Sequence, residues 1–87
     1  MKVISIKDMI RKDVPIYYRR LYTGVAVMEF NQNSSDFRVD FSIETKPTGH
    51  KEINVNFIDK MDYPLVPITK ELKQYILEMD DVGGLPD

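Results

Sequence analysis

The chain has 87 residues, 43% hydrophobic and 30% charged, with a formal net charge of −2. That length suits one modest core, and the balance of apolar and charged residues is that of a folding chain, not a disordered one. It has no cysteine, which excludes disulfides, thiolate metal sites and a cysteine nucleophile and is compatible with a reducing compartment.

Charge is spread unevenly. Residues 1–20 carry a net +4, residues 21–58 a net −2 and residues 59–87 a net −4. A basic front and an acidic end can attract partners, or each other across a self-assembly. The start, Met1-Lys2-Val3-Ile4-Ser5-Ile6, lacks the apolar run of a signal peptide, and no stretch approaches a membrane span, so the expected location is cytoplasmic.

Ser5-Ile6-Lys7-Asp8 reads as a helix start, with Ser5 as cap and Asp8 where the helix dipole favours an anion. Ile6, Met9 and Ile10 then line one face, and Pro15 forbids continuation past Val14. From Ile16 to Phe30, β-branched and aromatic residues predict a long strand, with Gly24 marking a bulge or bend. Asn31 to Asp36 reads as a polar loop. Placing Phe30 opposite Phe37 sets Met28 against Val39, Ala26 against Phe41, Glu29 against Arg38 and Arg20 against Pro47.

Phe37 to Glu44 alternates strictly, with apolar residues at every odd position, and Ile53 to Phe57 does the same. Pro47-Thr48-Gly49 between them suits a three-residue loop in which glycine takes the left-handed conformation. Lys46 then faces His50, Ile43 faces Ile53, Phe41 faces Val55 and Val39 faces Phe57. Two prolines mark Asp59 to Pro67 as a crossing loop. A last helix is expected from Ile68 or Thr69, with Ile68, Leu72, Tyr75, Ile76 and Met79 as its apolar stripe. Asp80 and Asp81 fall where the dipole disfavours them, and Gly83-Gly84 ends the helix.

The predicted fold is α+β and single-domain. A three-stranded antiparallel meander carries a short N-terminal helix and, packed on one face, a C-terminal amphipathic helix. Residues 1–81 form the domain and 82–87 a flexible tail.

No chemistry-bearing constellation stands out. His50 is the sole histidine and flanks an exposed turn with no partner near it in sequence. Asp59, Asp62 and Asp80-Asp81 match no calcium-loop spacing, and Gly83-Gly84 lacks the lysine of a phosphate loop. No catalytic, cofactor or metal residue is assigned, and the chain is not expected to be an enzyme. The unusual segment is Pro15 to Tyr22, where Tyr17, Tyr18, Arg19, Arg20 and Tyr22 match the composition of interface cores. In the predicted register, Ile16 to Arg19 overhang the meander at the sheet edge, unpaired, and invite another strand. The expected partner is a protein or a second copy of the chain.

The order α-β-β-β-α, with Gly49-His50-Lys51 in a strand-connecting turn, resembles the double-stranded-RNA-binding domain. That resemblance implies nucleic-acid binding as the alternative. The turn lies between strands two and three here and not one and two, and the last helix ends in Asp80-Asp81 where that family needs basic residues. A version independent of the family uses Lys7, Arg11, Lys12, Arg19 and Arg20 on phosphates, with Tyr17, Tyr18 or Tyr22 as stacking platforms.

Overall fold

In the computed structural model, which describes residues 2–86, four strands precede one helix: β1 (Lys2–Lys12), β2 (Arg19–Phe30), β3 (Asn33–Thr45), β4 (Lys51–Phe57) and α1 (Leu65–Asp81). Met1 and Asp87, the outer ends of the expected domain and tail, lie outside the described residues. The sheet is antiparallel in the order β1-β2-β3-β4. The α+β class and the C-terminal helix are as expected. The sheet has four strands, not three, and the N-terminal helix is instead a strand.

The reason lies in two irregularities of β1. Val3, Ile6 and Met9 recur at every third residue, which reads as a helix face. In the structure, extra residues enter β1 between Val3 and Ser5 and between Lys7 and Ile10, and Asp8 takes a left-handed φ of 54°. Each bulge adds one residue to an inward-to-inward step of two, so a strand acquires a spacing of three. Val3 and Ile6 are buried and Met9 packs beside them, while Ile4 and Ile10 are exposed. Gly24 itself sits in an unbroken stretch of β2, and the bulge lies across from it. A Cβ there would come within 2.9 Å of Ile6 Cγ2 and 3.2 Å of Met9 Cγ, so glycine is what lets the bulged strand pack down.

The turn between β2 and β3 is shorter than the polar composition suggests. Asn31 and Gln32, with φ of 45° and 73°, form a two-residue turn with both central residues left-handed, the form that matches strand twist. Phe30 therefore faces Asn33, Ala26 faces Phe37, Tyr22 faces Phe41 and Arg20 faces Ile43. The expected register is displaced by four residues of β3. Because four is even, every side chain keeps its face and the core survives the error. The expected Glu29–Arg38 pair does not form; Glu29 faces Ser34, and Arg38 binds Asp59 at 2.6 Å.

The β3–β4 hairpin has the expected register throughout, from Val39 opposite Phe57 to Thr45 opposite Lys51. Lys46 N–H donates to the His50 carbonyl, Gly49 N–H to the Lys46 carbonyl, and Gly49 has φ 87°. Helix α1 crosses the inward face, approaching both edge strands, and buries Ile68, Leu72 and Ile76 against Tyr22, Met28, Val39, Phe41 and Ile43. It begins three residues before Ile68. Pro67 is tolerated in its first turn because an N–H there has no intrahelical partner to lose. Tyr63 stacks on Phe30 just before it, with centroids 4.1 Å apart. Beyond the helix, Leu85 returns to touch the core. Among the described residues no helix is long and apolar enough to cross a membrane.

Candidate functional site

Pro15 ends the run of β1 and the chain turns outward before entering β2. Arg19 N–H donates to the Ile16 carbonyl at 3.2 Å, closing a four-residue turn with Tyr17 and Tyr18 at its tip. Thr45 N–H donates to the Tyr18 carbonyl at 2.8 Å and anchors the turn to the end of β3. Tyr17 is 98% exposed and Tyr18 45%. Their rings meet edge to face at 5.4 Å. A cleft of about 710 Å³ opens between these rings and Glu44, Thr45, Lys46 and Pro47 of the β3–β4 hairpin. Its charged wall is internally balanced: Glu44 lies 3.6 Å from both Arg19 and Lys46, and Lys46 lies 2.9 Å from Glu52.

The five residues singled out by composition divide at Arg19. Tyr17 and Tyr18 share the exposed corner. Arg19 opens β2 on the outward face, held near Glu44, with its Nε buried and without a hydrogen-bond partner among the described residues. Arg20 points inward and donates two 2.9 Å hydrogen bonds to the Asp80 carboxylate. Tyr22 is 1% exposed and stacks on Phe41 at 5.1 Å. Its hydroxyl accepts a 3.3 Å hydrogen bond from Arg20.

Asp80 is thus a structural anchor. Lys51 of β4 reaches the same carboxylate at 2.6 Å, so two strands grip the end of α1 through one side chain. The hydrogen bonds from Arg20 hold its carboxyl below the usual carboxylate range, with Lys51 assisting and burial opposing. Those two cations also offset the unfavourable helix-end position of the aspartate.

The predicted overhang does not exist. β2 pairs with β1 on one side and with β3 on the other, and its ladder runs to Arg19 opposite Glu44. The first predicted strand is therefore interior, and the sheet edges are β1 and β4. The order that resembled the double-stranded-RNA-binding domain is lost with the N-terminal helix. The hairpin residues that complete the cleft, Glu44 to Pro47, escaped the sequence reading. Taking Asn31-Gln32 as a two-residue turn would have found them, because it sets Arg19 beside Glu44.

His50 is exposed on its turn, and among the described residues no three of His, Asp and Glu gather as a metal site. A protein-family model described as the BB_0187 family matches residues 1–81, and the chain belongs to that family. No curated protein and no solved structure matches the chain.

Proposed function

We propose that this member of the family is a small non-enzymatic interaction module that engages a protein partner through the Tyr17–Tyr18 corner. The observation that carries this reading is Tyr17, 98% exposed at the tip of a turn tied down by two backbone hydrogen bonds. An aromatic side chain on a fixed backbone has only two torsions to order on binding and a large surface to bury. Pro47 and the stem of Lys46 offer an adjoining wall for the partner's side chains.

A protein partner is favoured over nucleic acid by the state of the basic residues. Lys7 lies 2.9 Å from Asp36, Lys12 3.9 Å from Asp40, Arg19 3.6 Å from Glu44 and Arg20 2.9 Å from Asp80. Cations spent on internal carboxylates have little left for phosphates. The lack of cysteine is compatible with a cytoplasmic module, where we place it.

The test uses a photoreactive amino acid at position 17, with a control at Glu71 on the helix. Crosslinks from position 17 that disappear with Tyr18→Ser support the reading. Light scattering on the same sample separates a second copy of the chain from a different partner. Equal crosslinking from both positions, or nucleic-acid affinity that falls steeply with salt and is lost with Tyr17→Ser, would overturn it.

A further inference from the structure

The two sheet edges differ, and the difference singles out β4. On β1, two bulges and the left-handed Asp8 break the row of free backbone groups, and Lys2, Lys7, Arg11 and Lys12 crowd it with charge. Such features block the addition of another strand. β4 has seven residues, no proline and no break in register. Lys46 N–H to the His50 carbonyl and Ile58 N–H to the Arg38 carbonyl mark the hydrogen-bonded rows at either end of the hairpin. By alternation, Glu52, Asn54 and Asn56 spend their backbone groups on β3. Lys51, Ile53, Val55 and Phe57 direct theirs outward, where no strand pairs with them among the described residues.

Helix α1 runs beside this edge. Between them lies a groove of about 330 Å³ with Ile53 and Leu77 in its lining and His50, Lys70 and Lys73 around it. Lys51 is committed to Asp80 and the exposed Glu52 to Lys46. Lys70 and Lys73 have no carboxylate within salt-bridge distance among the described residues. They also border the exposed Leu65 and Val66 near the start of the helix. Residues three apart on a helix stand about 5–6 Å apart. Side chains two apart on a strand share a face at roughly 6–7 Å, so one strand can present a carboxylate to each lysine.

We propose that the β4–α1 groove binds an extended acidic segment of a protein partner, which adds to β4 as a fifth strand. Main-chain bonds to Lys51, Ile53, Val55 and Phe57 supply the affinity. Lys70 and Lys73 select carboxylates at alternate positions. This site is independent of the tyrosine corner, although both adjoin the tip of the β3–β4 hairpin, so one partner can reach both.

The experiment is a titration with a capped eight-residue peptide alternating glutamate and valine, followed by amide hydrogen exchange on the intact chain. Protection of the Ile53, Val55 and Phe57 amides should rise about tenfold or more at roughly 1 mM peptide, the range expected of weak peptide sites. K70E/K73E, which changes two exposed side chains, should keep the fold and weaken binding about tenfold or more. N-methylation of the peptide amides that would face β4 should abolish binding. Unchanged exchange at those three amides, equal binding of a lysine–valine peptide, or equal binding of the methylated peptide would each overturn the proposal. A dimer with these amides already protected before any peptide is added would also overturn it, making the edge an interface between copies.

Discussion

Residues 17–18 and residues 20–22 are nearly the same in composition and opposite in circumstance. Tyr17 and Tyr18 stand at the tip of a turn, touching one another and open to water. Two residues later, Arg20 and Tyr22 face the interior, one gripping Asp80 and the other stacked on Phe41. What separates them is where β2 begins. Once the chain joins the ladder at Arg19, alternate side chains are committed to the core, and tyrosine and arginine become parts of the fold. Before that point nothing in the fold needs an aromatic ring. Composition alone groups all five residues into one surface; the backbone divides them into a structural set and an exposed pair.

Substitutions on the two sides of that division should differ most at Tyr22. Tyr22→Ala removes a fully buried ring and the acceptor for Arg20, and should cost about 3–5 kcal/mol of unfolding free energy in urea. Asp80→Ala should cost less, roughly 1–3 kcal/mol, because Arg20 and Lys51 lose a shared acceptor but stay partly in water. Its pH dependence sharpens the case. The Asp80 carboxyl is held below its ordinary range, so its contribution is fully present above the unfolded carboxylate value near about pH 4. That contribution is lost as pH falls through the lower folded value. Asp80→Asn should therefore flatten the acid limb of the stability profile.

The turn that sets the β2 register should respond in the other direction. Gln32→Gly places glycine at a left-handed φ of 73° and should stabilise the chain by roughly 0.5–1 kcal/mol, measured as a rise in Tm. Smallest of all, Tyr17→Ala should move unfolding by no more than about 0.5 kcal/mol.

The same contrast explains what could be read in advance. The β3–β4 hairpin was legible because strict alternation and Pro47-Thr48-Gly49 demanded one register, and Val39, Phe41 and Ile43 meet their expected partners. The helix stripe was equally plain in Ile68, Leu72 and Ile76. β1 was not, because its bulges imitate a helical spacing, and a bulge depends on the partner strand, here on Gly24. Asn31-Gln32 lacks the glycine that advertises a two-residue turn, so the polar run to Asp36 reads as loop. That one misjudged turn left the core intact but moved Arg19 away from Glu44, hiding the cleft beside the tyrosine corner. The free edge at β4 was obscured for a related reason: a missing fourth strand made β2 the edge that drew attention.

The division within this segment is tested most directly by urea unfolding of a Tyr17→Ala/Tyr18→Ala double variant beside Tyr22→Ala. The double variant should keep the parent midpoint to within about 0.5 kcal/mol, since only Tyr18 has any burial to lose. Tyr22→Ala should lose a large share of the total stability. A double variant as destabilised as Tyr22→Ala would mean that the corner tyrosines belong to the core, and the account of them as a surface kept free for a partner would fall.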